Sequence, residues 1–278
     1  MIKFPLAIIL YNPSLSSINR ILNFVDLGVK FYVFDNSEKK NEALLNQNGI
    51  KYYSDEYNYG LSFSLNFLCN KIKQDKFDSF LFFDQDTIFT IQTLEFVQNF
   101  VDFKYYINDS ILNSALAVNF RDNSVLNSPL NIINTWFLNS YSINEVFFNI
   151  NSGTMYFLKN YYLFNWFDNK YFVDGVDYSF SLDVIINKFR NFSITNVPGL
   201  NHFEEQGDSS IFILGKKITS RVYSFKRNYD FLRSHFFLII KTFKVPSVKP
   251  KLFILKAFLG YLFAQIIFRV NYCINKLF

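Results

Sequence analysis

Residues 80 to 87 read FLFFDQDT: an apolar run meets two carboxylates, Asp84 and Asp86, set one residue apart. A short continuous apolar run closed by polar residues is the pattern of a strand buried on both faces, as in parallel sheets covered by helices. Like charges gathered at the end of such a strand call for a counter-charge. Hard carboxylate oxygens suit Mg²⁺ or Mn²⁺, which commonly sit between one or two carboxylates and a substrate phosphate. A solvated turn in which Asp86 or Thr87 caps the next helix is the plainer alternative. The pair alone decides nothing, because 16 Asp in 278 residues yield roughly one Asp-x-Asp by chance.

The flanking sequence repeats one rhythm. PLAIILY (5–11) is another run of buried-strand length ending at a Pro turn. SSINRILNFV (16–25) then sets Ile18, Ile21, Leu22 and Val25 on one helical stripe, with Ser16 or Ser17 available as cap. KFYVFDNS (30–37) predicts a strand closing on Asp35 and Asn36, and GIKYY (49–53) predicts another. Leu61, Leu65, Leu68 and Ile72 mark a helix, and residues 88 to 100 predict the helix after the Asp pair. Alternating strands and helices predict an α/β domain with a mainly parallel, Rossmann-like sheet flanked by helices. Ligands of such sheets collect at the carboxyl ends of the strands. Tyr11, Asp35, Asn36, Asp84 and Asp86 all fall there, so a metal-bound nucleotide accounts for them better than three separate turns.

Composition narrows the class. The chain is 21% aromatic and 18% charged, the reverse of a disordered polymer. Its length predicts one main domain with an appendage. Cys69 and Cys273 are too few and too isolated for a disulfide framework or a zinc cluster, which fits a reducing compartment. The start, MIKFPLAIILYNPS, lacks a small-residue cleavage site and reads as a first strand rather than a signal peptide. A cytoplasmic protein is expected.

Residues 101 to 150 are Asn-rich, with strand-like ALAVNF (115–120) and VFFNI (146–150). NSGTMYFL (151–158) is a Gly turn entering an apolar strand. In FVDGVDYSFSLDVIINKF (172–189), Asp177, Ser181 and Val184 share one face of a predicted helix, and Asp174 precedes it. The structural explanation of these acids is a first turn favoured by the helix macrodipole.

Taken together, ILYNPS (9–14), VFDNSE (33–38), NYGLSFSLN (58–66), LFFDQDT (81–87), NSGTMYF (151–157), FVDGVDYSFSL (172–182), LNHFEEQGD (200–208) and SRVYSFKRNYDFL (220–232) stand in an order that resembles a family. It is the family 2 glycosyltransferases of GT-A fold, within them the bacterial rhamnosyltransferase-like group of O-antigen and capsule biosynthesis. The resemblance implies that Tyr11, Asp35 and Asn36 meet the nucleotide, and that Asn58, Gly60 and Asn66 form the sugar-nucleotide loop and the helix behind it. It implies that Asp84 and Asp86 bridge ribose, metal and diphosphate, with His202 near the metal. Ser152 and Gly153 lie toward the acceptor, Asp177 serves as catalytic base with Asp174 beside it, and Arg221, Arg227 and Asn228 close over the donor. Without the resemblance, His202 is a surface-loop histidine and the arginines belong to a basic helix. Ser179 and Asp183 stand where many relatives carry an acid and an Arg, which leaves dTDP-rhamnose and a UDP-hexose both open as donor. The resemblance implies a saccharide or lipid-linked saccharide acceptor. A non-catalytic GT-A subunit of a polysaccharide assembly complex is the rival from another class, and a nucleotidyltransferase the rival enzyme.

From 211 to 278 the chain holds 13 Lys/Arg and one acid, Asp230, whereas residues 1 to 210 hold 15 basic and 22 acidic residues. The domains are therefore expected at 1–210, catalytic, and 211–278, helical and basic. Ala257 to Phe268 is a 12-residue uncharged run, short of the roughly 20 needed to span a bilayer. An interfacial helix on the inner face of the bacterial membrane, or packing on the core or in a homodimer, follows. The tail is too apolar for nucleic acid, and the acidic first 210 residues repel phosphate unless metal is present.

Overall fold

The computed structural model describes residues 2–41, 44, 47–106, 115–121, 132–138, 141–160, 166–201, 209–213, 216–220, 225–256, 258–259 and 262. The chain divides into two compact units, Met1–Phe203 and Glu204–Phe278. The charge pattern set the division slightly later, at 210/211.

In the first unit, strands β1 (Leu6–Leu10), β2 (Phe31–Asp35), β3 (Ile50–Tyr53), β4 (Ser79–Asp84), β5 (Ala115–Phe120), β6 (Ile132–Leu138), β7 (Tyr141–Val146), β8 (Thr154–Phe157) and β9 (Arg190–Ile194) form one sheet in the order β3-β2-β1-β4-β8-β5-β9-β7-β6. The β3, β2, β1 and β4 strands run parallel. β8 then enters antiparallel between β4 and β5, and β5 pairs parallel with β9. The fold is thus α/β with a mixed sheet, flanked by α1 (Leu15–Asp26), α2 (Leu61–Gln74), α3 (Ile91–Tyr106) and α4 (Val176–Ile186). After β1 the chain adds β2 and β3 on one side, then returns to lay β4 on the other. That reversal is the topological switch beside which sheets of this kind bind ligands.

Local chemistry fixes the elements. Ser14, rather than Ser16 or Ser17, caps α1 by accepting the Ser17 N–H. Its buried stripe is Ile18, Ile21 and Phe24, with Leu22 and Val25 partly covered. Thr90 and Thr93 exchange backbone-to-hydroxyl hydrogen bonds of 3.1 and 3.4 Å at the start of α3. This reciprocal cap moves the helix start to 91 and takes from Asp86 and Thr87 the capping role that the plainer alternative gave them. Directly behind Asp84, Phe83 stacks on Phe89 at 4.2 Å, and Phe89 on Phe24 at 4.6 Å. The turn carrying the two acids therefore rests on packed aromatic core rather than on loop. VFFNI differs from its expected strand: β7 ends at Val146, and Phe147 and Phe148 are buried outside it.

The second unit, by itself, contains a hairpin of β10 (Ser209–Ile213) and β11 (Lys216–Ser220) and the helix α5 (Phe225–Thr242). Residues 248 to 256 are helical again. Among the described residues no helix is long and apolar enough to cross a membrane.

Candidate active site

Asp84 is the last residue of β4, in register with Ile9 of β1, while Leu10 is paired with Asp35 of β2. The two acids therefore stand on either side of the end of β1. Gln85 spans the switch: its Oε1 accepts the Tyr11 N–H at 2.9 Å and its Nε2 donates to the Tyr11 carbonyl at 3.1 Å. These bonds fix the main chain under the exposed Tyr11 ring. Arg20, on α1, donates to the Thr87 carbonyl at 2.6 Å. Burial lowers its pKa and Asp86 opposes that shift, so a guanidinium borders the acidic turn.

Ser152 and Gly153 are buried beneath the site. The Ser152 hydroxyl accepts the Asp84 N–H at 3.0 Å and lies 2.7 Å from the Thr87 hydroxyl. Gly153, at φ 74°, donates to the Phe82 carbonyl and accepts from the Phe120 N–H. Asn119 holds this turn by donating to the carbonyls of Ile150 and Ser152 and to the Thr154 hydroxyl. With its hydroxyl bonded to the Asp84 N–H and the Thr87 hydroxyl, Ser152, expected on the acceptor side with Gly153, positions Asp84.

The same turn reaches the third acid. Gly175, left-handed at φ 82°, starts α4, and Asp177 stands in its first turn. The Asn151 backbone N–H bonds to the Asp177 carboxylate. Desolvation pushes Asp177 up to about 7, the Asn151 bond opposes this, and Asp174 adds to it. Asp84 is pushed up to about 8, first by desolvation and then by Asp86 and Asp177. The Asp84 side chain is nevertheless exposed. Water reaches it, while the surrounding protein and two like charges disfavour its anion. Asp84, Asp86 and Asp177 thus form one electrostatically coupled group, which Asp174 joins through Asp177.

The second patch centres on Asp35, whose side chain is fully buried. Its Oδ1 accepts the Ser37 N–H at 2.9 Å, and its Oδ2 accepts from the Tyr52 hydroxyl at 2.6 Å and from the Asn41 amide. Asp35 therefore shapes the loop after β2 rather than presenting an open carboxylate. Asn36, also buried, donates to the Ser64 hydroxyl at 3.0 Å and accepts the Tyr59 N–H at 3.1 Å. Asn58 accepts the Gly60 N–H at 2.9 Å, and Asn66 donates to the Phe167 carbonyl at 2.6 Å and to Asn169 at 3.2 Å. The loop and α2 are thereby tied to the segment that leads to Asp174 and Asp177. Gly60 is the closest approach: the Leu61 N–H donates to the Phe172 carbonyl at 2.6 Å, and a Cβ at Gly60 would meet that carbonyl oxygen at 2.5 Å with φ at 80°. Gly60→Ala is expected to destabilise the fold by more than about 2 kcal/mol, through left-handed strain and a backbone clash. Urea unfolding checks this; an unchanged midpoint would refute the contact.

His202 and Arg221 lie outside the described residues, as do the side chains of Arg227 and Asn228, which are placed only as backbone in the first turn of α5. Arg20, Gln85 and Asn119 were not singled out from sequence. Only Gln85, between the two acids, had a signal to find it; Arg20 and Asn119 are brought in by long-range pairing.

Among the described residues no three His, Cys, Asp or Glu side chains converge as a metal-binding group. Two carboxylates of hard oxygen at one turn still fit Mg²⁺ or Mn²⁺, because such ions take only one or two protein carboxylates and fill their remaining positions with water and phosphate oxygen. The raised values for Asp84 and Asp177 have a sign that tests this electrostatic picture. Both groups hold protons more tightly folded than unfolded, so stability is expected to fall as pH rises from about 4, the unfolded carboxyl value, through about 7 and 8. In EDTA, the melting temperature of wild type should drop across that window and that of Asp84→Asn should drop less. Mn²⁺ should restore wild type most at the alkaline end. Identical slopes for the two proteins would contradict the coupling.

No protein-family profile matches the chain, and no curated protein matches it. Among solved structures it is similar to GalNAc-T7 with UDP, GalNAc and Mn²⁺, at a TM-score of 0.47 and 8% identity over 69% of this chain and 42% of that one. The chain spans less than half the length of that structure, and a likeness this loose bears on neither chemistry nor residues.

Proposed function

We propose that this chain is a metal-dependent, inverting glycosyltransferase of GT-A architecture. Its donor is a nucleoside-diphosphate sugar, dTDP-rhamnose or a UDP-hexose, and its acceptor a saccharide or lipid-linked saccharide of a surface polysaccharide. The observation that carries the reading is the coupling of Asp84 with Asp86 and Asp177 beside the sheet's topological switch. Asp86 and Asp177 both disfavour the Asp84 anion, and this repulsion at the switch supports a site that receives positive charge.

Asp84 and Asp86 are the carboxylates that hold the cation, which when bound offsets the negative charge growing on the departing diphosphate. Tyr11, on the main chain clamped by Gln85, lines the nucleoside side, and the loop shaped by Asp35 and Asn36 borders it. Asp177 accepts the proton of the acceptor hydroxyl while that oxygen bonds to the anomeric carbon. The electron pair of the broken bond leaves with the nucleoside diphosphate, and one displacement inverts the centre. A carboxyl pushed up to about 7 is a stronger base than an ordinary aspartate and still partly ionised at neutral pH.

The deciding experiment incubates purified protein with dTDP-rhamnose or UDP-hexoses, with and without Mn²⁺. Release of dTDP or UDP that requires the metal supports the reading. Pyrophosphate release would replace it with nucleotidyl transfer. Neither product nor a thermal shift from any nucleotide sugar would leave a non-catalytic subunit.

A further inference from the structure

The second unit carries a surface of its own. The α5 helix buries Ser234, His235, Leu238 and Thr242 on one face. Its opposite face is apolar: Tyr229, Leu232, Phe236, Ile240 and Phe243 follow at helical spacing through the turn after α5, and are 64, 40, 60, 48 and 75% exposed. A surface helix ordinarily turns its apolar stripe toward the core, whereas α5 buries a largely polar face and leaves this apolar stripe exposed. The helical stretch beginning at 248 repeats the arrangement, with Val248, Leu252, Leu255 and Leu259 exposed at i, i+4, i+7 and i+11 and Ile254 buried. At 100° per residue this second stripe is narrow, with Lys249 and Lys256 on one flank and Lys251 on the other. The stripes are neighbours: Lys251 lies over the Phe243 ring at 5.8 Å, and His235 stacks with Phe258 at 6.1 Å on the inner side.

We infer that this two-helix face docks on an anionic lipid surface, lying in its plane. Charge selects this occupant. Of the charged residues from 211 to 278, only Asp230 is acidic, and lysines flanking a narrow apolar stripe bury their stems while their ammonium groups reach phosphate headgroups. The inference stands independently of sugar transfer, because it uses no residue of the acidic site.

The test is co-sedimentation of the full chain with phosphatidylglycerol–phosphatidylcholine vesicles and with phosphatidylcholine alone. Wild type should bind the anionic vesicles at least about tenfold more tightly. Phe236→Ser with Leu252→Ser should weaken that binding about tenfold or more. Lys249→Glu with Lys256→Glu should weaken it about thirtyfold or more, from the loss of two lysines each of the usual value near an anionic surface. All four residues are exposed, so melting temperatures should not move. If the apolar variant misfolds, the charge variant carries the test. No vesicle binding by wild type, equal binding to both vesicle types, or wild-type binding by the folded variants would overturn the proposal. A wild-type dimer that dissociates in the apolar variant, without vesicle binding, would show that a second copy covers the face instead.

Discussion

Asp177→Asn is expected to lower kcat for sugar transfer by about 10²–10⁴-fold, the usual worth of general-base assistance. The donor dissociation constant should change far less. The substitution is nearly isosteric, and an asparagine oxygen can still accept the Asn151 backbone N–H that fixes the carboxylate. What disappears is a site for the acceptor's proton. An amide cannot take it at neutral pH, so the hydroxyl must attack unaided. A base acting only in the transition state predicts that kcat and kcat/KM fall together. The pH profile supplies a readout that a packing defect would not mimic: the wild-type acidic limb, set by a group near 7, should vanish in the variant. A variant that keeps wild-type kcat, or loses only donor affinity, would remove Asp177 from the reaction.

Asp86→Ala is expected to cost about 10²–10³-fold in turnover, the scale of losing charge stabilisation at a developing anion. It should also raise the Mn²⁺ concentration needed for half-maximal rate. The change shortens a side chain on the turn that rests on Phe83 and Phe89, and Asp86 does not form the cap of α3, so the fold should survive. Removal of a neighbouring negative charge should also let Asp84 ionise more readily, since Asp86 follows only desolvation among the causes of its raised pKa. Melting curves in EDTA should therefore show a weaker fall of stability with pH in Asp86→Ala than in wild type. Unchanged metal dependence with normal turnover would place the cation elsewhere.

Much of the first unit was legible in the sequence because its signals are local. PLAIILY, KFYVFD and FLFF are apolar runs bounded by turn residues, and they become β1, β2 and β4 because only a strand covered on both faces buries every side chain of such a run. The acids after these runs had to stand at the carboxyl edge once the strands were parallel. Local signals failed where competing caps or tertiary packing decided. Ser14 displaced Ser16 and Ser17 as the α1 cap. Phe147 and Phe148 looked like strand but are buried outside it.

The sequence by itself determined the alternation of strands and helices, the acidic ends of β2 and β4, and the basic character of the last 68 residues. Those follow from period, side-chain type and charge, which need no partner. Only the tertiary structure decided that β8 runs antiparallel between β4 and β5, so that Ser152 and Asn151 reach Asp84 and Asp177 from one turn. Only it sealed the Asp35 carboxylate behind Tyr52 and Asn41, and set Arg20 beside the acidic turn. Each of these depends on residues far apart in the chain meeting across a sheet, and hydrogen bonding and desolvation at such meetings are properties of the folded neighbourhood rather than of any segment within it.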